Sequence, residues 1–140
     1  MKIIKKYVYL LAAVTAITLT ACDDNNNFDK NAKELLNNRV IYFADSSSET
    51  YKKYAFEDNK LTIYSYKDKD MKELKDTQSY SLYYDNDKFT AISSKDGKEN
   101  CKITTCENDD YVFVSCDDND IFVRGWDTKS QALIDDTRSK

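Results

Sequence analysis

Between residues 39 and 126, short runs alternating apolar with polar side chains are broken at nearly regular spacing by Asp, Asn and Gly pairs, which leaves little choice but an antiparallel meander. Runs rich in Val, Ile, Phe, Tyr and Thr predict eight strands, over 39–44, 51–57, 60–67, 77–84, 88–94, 100–107, 110–117 and 120–126. The turns then set the registers. A two-residue turn at Asp58-Asn59 places Phe56 opposite Leu61 and Tyr54 opposite Ile63. Asp96-Gly97 pairs Ile92 with Cys101 and Thr90 with Ile103, and Asn108-Asp109 pairs Val112 with Thr105, Val114 with Ile103 and Cys116 with Cys101. Asp118-Asn119 sets Cys116 against Ile121 and Val114 against Val123. Three independent turns thus put Ile92, Cys101, Ile103, Val112, Val114, Cys116, Ile121 and Val123 on one face, a set that a one-residue slip would scatter. That face is the expected core.

The same registers bring Cys101 and Cys116 face to face, so a disulfide between neighbouring strands is expected in an oxidising compartment. It would close a loop of about 15 residues, for which chain entropy gives around 3 kcal/mol. The other reading is a reduced pair acting as small apolar groups. Cys106 falls on the opposite face and is left odd.

The outer face of the last two hairpins is aromatic, with Tyr111 opposite Trp126, Phe113 opposite Arg124 and Ser115 opposite Phe122. Cross-strand aromatic pairs stabilise a sheet, and Phe113 with Arg124 offers a cation–π contact. An apolar patch of this size calls for a cover or a partner. A helix capped by Asp127 or Thr128 and running through Ala132, Leu133 and Ile134 to Arg138 is the expected cover. The alternative is a binding face made of Tyr111, Phe113, Phe122, Arg124 and Trp126. A second, short helix is expected ahead of the strands, capped by Asp29, with Ala32, Leu35 and Leu36 at i, i+3, i+4. Tyr51, Tyr64 and Tyr66 form a further aromatic stripe on the outer face of the first hairpin.

At the other end of the chain, Lys2, Lys5 and Lys6 precede an apolar run from Tyr7 to Leu19, too short for the roughly 20 residues that a membrane span needs. The run ends in Leu19-Thr20-Ala21-Cys22, which resembles the lipobox of bacterial lipoproteins. The resemblance implies that residues 1–21 are removed and that Cys22 is diacylated, with palmitate-like chains that anchor the protein at about 0.8 kcal/mol per buried CH₂. It places the chain in the bacterial cell envelope, facing the periplasm or the exterior. Residues 22–28 then read as the lipidated cysteine and a polar tether, and 29–140 as a single domain. Loss of the leader leaves 18 basic against 25 acidic residues, a net charge of −7. Such a balance argues against nucleic acid and against docking on anionic lipid by charge. It suits a basic envelope or host protein as partner.

An all-β antiparallel meander of about eight strands, with a short N-terminal and a C-terminal helix, is expected to form a small barrel or a partly open one, with a two-sheet sandwich as the alternative. The stretch Tyr54-Ala55-Phe56-Glu57-Asp58-Asn59-Lys60-Leu61-Thr62-Ile63 resembles hairpins of bacterial lipocalin-like domains, although Asn38-Arg39-Val40 stands where lipocalins carry Gly-x-Trp.

Enzymatic chemistry finds little footing. Zero histidines exclude Ser-His and Cys-His pairs and imidazole metal ligands. Cys101-x₄-Cys106 has no second cysteine pair for zinc. The acid-rich stretches Asp85-Asn86-Asp87, Glu107-Asn108-Asp109-Asp110 and Asp117-Asp118-Asn119-Asp120 coincide with turns, where Asp and Asn serve the backbone. No catalytic residue, metal or cofactor is therefore expected. The sequence favours a protein-binding envelope lipoprotein of inhibitor or immunity type, and the alternative is a lipocalin-like carrier of a small apolar ligand. A closed barrel with an apolar cavity of several hundred Å³ would favour the carrier, and a core filled by Leu61, Ile63, Val114 and Ile121 would count against it.

Overall fold

Phe56 lies opposite Leu61 and Tyr54 opposite Ile63, as the Asp58-Asn59 turn requires, with Asp58 at a φ of 51°. From this hairpin the computed structural model, which describes residues 31–84, 89–105, 110–116 and 122–138, extends to an eight-stranded closed barrel. After helix α1 (Ala32–Leu36) the strands are β1 (Val40–Asp45), β2 (Thr50–Glu57), β3 (Lys60–Tyr66), β4 (Leu74–Tyr84), β5 (Thr90–Lys95), β6 (Lys98–Thr104), β7 (Tyr111–Cys116) and β8 (Val123–Trp126). Helix α2 (Lys129–Arg138) follows. Each strand pairs antiparallel with the next, and β8 returns to pair with β1. Among the described residues no helix is long and apolar enough to cross a membrane. Cys22, Asp29, Cys106, Ile121, the turns at Asn108-Asp109 and Asp118-Asn119 and the acid-rich stretches, apart from Asp110, lie outside the described residues.

Inward-facing residues fill the barrel's lower half. Leu36, Ile41, Phe56, Leu61, Ile103 and Val112 are all buried to 2% exposure or less. Leu36 reaches this core because α1 caps the end of the barrel beside the Asp58-Asn59 turn. Asn37 Oδ1 accepts from Asp58 N at 2.9 Å, and Asn38, at a φ of 64°, donates its N–H to Phe56 O at 2.8 Å. The N-cap of α1 is Asn31 rather than Asp29. Its side chain accepts from Glu34 N, and the Glu34 carboxylate accepts from Asn31 N, a reciprocal capping box.

One register differs from expectation. Lys95 pairs with Lys98 and Ser94 with Glu99 around the Asp96-Gly97 turn, but beyond them Ile92 faces Lys102 and Ala91 faces Ile103. A β-bulge is the cause: Asn100 and Cys101 together stand opposite Ser93. Ile92 is thereby turned outward and half-buried, whereas Ala91 and Ser93 take its place in the core at 0% exposure. Ser93 Oγ repairs the interrupted ladder, accepting from Cys101 N at 3.0 Å and donating to Cys101 O at 3.4 Å. The shift is confined to the β5–β6 pairing, and on the other side of β6 Cys101 faces Cys116 and Ile103 faces Val114 as expected. The Cys101–Cys116 disulfide is formed, with the Cα atoms 4.1 Å apart.

Candidate ligand cleft at the barrel mouth

The barrel is zipped shut at only one level of its last seam. Among the described residues β8 pairs with β1 through Trp126 and Tyr42 alone. Just beyond, Arg39 grips Asp127 with two parallel contacts, Nε to Oδ1 at 2.7 Å and a terminal nitrogen to Oδ2 at 3.2 Å. Gly125 lets Ile41 and Phe43 lie flat against β8, since a Cβ there would sit 2.6 Å from a carbon of each. Past this point the strands part. Ser46 N, at the exit of β1, donates to the Asp136 carboxylate of α2 at 3.2 Å instead of extending a ladder.

The parting opens a cleft of about 800 Å³ between β1, β2, β7, β8 and α2. Phe43, Tyr54, Val114, Phe122 and Val123 supply its apolar wall, and Asp45, Lys52, Arg124, Asp135 and Asp136 its charges. Val123 faces Val114 as the turn register predicts, yet it is 50% exposed because β1 has left its side. Its expected place in the core is corrected accordingly. A smaller cavity of about 130 Å³ continues behind Tyr54 and Cys116 into the barrel, bounded by Lys52, Ser65, Gln78, Asn100 and the disulfide.

Most rim carboxylates are engaged structurally. Asp45 accepts from Ser47 N and Oγ, Asp135 from the Trp126 indole at 3.1 Å, and Asp76 from Gln78 Nε2 at 3.0 Å. Gln78 Oε1 in turn accepts from the Tyr80 hydroxyl. Lys52 is different. Half-buried and inward-facing, it has no hydrogen-bond or ion-pair partner among the described residues.

The aromatic face expected on β7 and β8 closes on itself. Tyr111 packs edge-on to Phe113 at 5.3 Å and against Trp126 at 5.0 Å. Arg124 stands opposite Phe113, but its guanidinium extends over the Tyr111 and Trp126 rings at 5.1 and 5.8 Å, so the cation–π contact expected with Phe113 falls on those two instead. Phe113 is buried, and Trp126 is tied to α2 through Asp135. Thr128 caps α2, accepting from Gln131 N at 3.1 Å, whereas Asp127 is committed to Arg39. Phe122 leaves this group and lines the cleft. In the tyrosine stripe Tyr51 is buried and stands across from Tyr66 in the register, and the Lys53 ammonium stands 4.6 Å over the half-buried Tyr64. Away from the cleft, burial and then the nearby Asp58 charge push the Tyr84 phenol up, while its hydroxyl donates to Asp58 O at 2.7 Å.

Lys52 is the residue that sequence reasoning passed over, although the signal was present. The register that turns Tyr54 and Phe56 inward also turns Lys52 inward, opposite Ser65. A lysine at a core-facing position is costly unless it serves something.

Comparison with known protein families, with curated proteins and with solved structures gives no match.

Proposed function

We propose that this chain is a lipid-anchored binding protein of the bacterial cell envelope that holds a small, largely apolar ligand in the cleft between β1 and β8. One observation carries the reading: a cavity of about 800 Å³ with an apolar wall, in the size range of small-molecule sites, at the mouth of a closed barrel. Leu61, Ile63 and Val114 fill the barrel interior, which counts against a ligand inside it. The reading therefore rests on the cleft at the mouth, and on that ground the lipocalin-like carrier is placed above the protein-binding inhibitor that the sequence favoured. The aromatic face offered to a protein partner is stacked on itself and tied to α2. The lipobox resemblance at Leu19 to Cys22 supplies the anchor, and the acidic chain is held to the membrane by acyl chains rather than by charge.

The test is recovery of the processed protein from envelopes in mild detergent, followed by native mass spectrometry. The expected result is a diacylated chain beginning at Cys22 and carrying one small ligand per protein. A stoichiometric protein partner with no small ligand would restore the inhibitor reading and overturn this one.

A further inference from the structure

We propose that the cleft selects ligands bearing a single anionic head group, a carboxylate on an apolar arm, and that Lys52 is the group that binds the anion. The proposal rests on the cleft being a ligand site and adds the chemistry of the ligand.

Three cavities, of about 800, 130 and 340 Å³, meet at the barrel mouth, and Lys52 is the residue common to all of them. Its position follows from the sheet. Across the inner face, Phe43 pairs with Lys52, Lys52 with Ser65 and Ser65 with Asp76, so an apolar residue, a cation, a hydroxyl and an exposed carboxylate stand in one row. The bulge on β6 adds a further group, because Asn100 and Cys101 share the place opposite Ser93 and both border the inner cavity. The side chains of Lys52, Ser65 and Asn100 have no hydrogen-bond partner among the described residues. An ammonium, a hydroxyl and an amide without partners at the boundary of one cavity form a donor-rich cradle.

The nearby negative groups do not fill it. Asp76 is turned to Gln78, Asp45 to Ser47, and Asp135 and Asp136 to Trp126 and Ser46. Glu49 and Lys75 line only the outermost of the three cavities. A half-buried ammonium is stabilised by an anion brought to it, more than an exposed one would be, because water screens the pair less. An aliphatic arm attached to that anion has one apolar route out, along Tyr54, Val114, Phe43 and Val123 into the larger cleft. A neutral ligand fits the same wall but leaves Lys52 unanswered.

The experiment uses the full chain in nanodiscs of zwitterionic lipid, with empty nanodiscs as reference, titrated calorimetrically with octanoate and with its neutral counterpart octanamide. Octanoate is expected to bind one to one, about tenfold to a hundredfold more tightly than octanamide, the range for a charge-assisted hydrogen bond. Lys52→Met should abolish that preference while leaving octanamide binding in place, and Lys52→Arg should keep it. A folded Lys52→Met protein, checked by its thermal transition, that still prefers octanoate overturns the role of Lys52, and so do equal affinities in the wild type. Absence of binding by either compound overturns the cleft itself as a ligand site.

Discussion

Gly125 shows how much a single side chain would disturb the seam. A methyl group there would press on Ile41 Cδ1 and Phe43 Cζ at 2.6 Å; Phe43 can yield toward the cleft, but Ile41 is fully buried in the core. Gly125→Ala is expected to destabilise the barrel by about 1–3 kcal/mol, the usual cost of overpacking, measured as a lower urea midpoint. Asp68 illustrates the opposite, a surface residue whose work is done by charge. Its carboxylate accepts from Glu73 N at 2.9 Å and from Lys72 N at 3.2 Å across the β3–β4 turn, and these bonds, Glu73 first, hold it below the usual carboxylate range. A folded-state value lowered in this way stabilises the protein above about pH 3.8 and ceases to do so as pH falls through the lowered value. The stability gap between wild type and Asp68→Asn should therefore be open at pH 7 and narrow as the pH falls below about 3.8. An unchanged gap across that range would show that the turn does not depend on the charge.

Among the elements, β5 and β6 carry the most consequence for the site. The Asp96-Gly97 turn, with φ values of 55° and 79°, was legible from the sequence and is present. The bulge three residues away was not, because Asn100-Cys101 opposite Ser93 has no glycine or proline to announce it. Its effect is visible only with the partner strand in place: it brings Asn100 to the cavity wall beside the Cys101–Cys116 disulfide. Ser93 makes the arrangement tolerable by accepting the Cys101 N–H. Ser93→Ala should cost about 1–3 kcal/mol by leaving a buried donor unsatisfied. Protection of the Cys101 amide against hydrogen exchange should fall with it, and retained protection would show another acceptor taking over. Helix α2 was likewise legible, through Thr128 and the apolar trio. Its tertiary use was not: Ala132 is buried but Ile134 is half exposed, and Asp135 and Asp136 do the joining.

For the whole molecule, the cleft is a property of closure. β8 is short and meets β1 at one pair, so the barrel is complete near Trp126 and open near Val123. Val123→Trp places an indole into the opening from an already exposed position. It should lower ligand occupancy in native mass spectra at least several-fold with little change in the unfolding midpoint, and full occupancy would remove the ligand from this cleft. The proposed address and attachment rest on residues 1–28 and on local features alone, leader charge, apolar length and Cys22, so the fold does not bear on them. Strand number, the hairpin registers other than that of β5 with β6, and the Cys101–Cys116 bridge were also within reach, because a two-residue turn fixes its own neighbours and side-chain alternation carries the rest. The parting of β1 from β8, the bulge, and the gathering of Lys52, Ser65 and Asn100 were decided by the tertiary structure. Each depends on strands distant in sequence meeting around a closed ring, where no local pattern records which pairs will be left open.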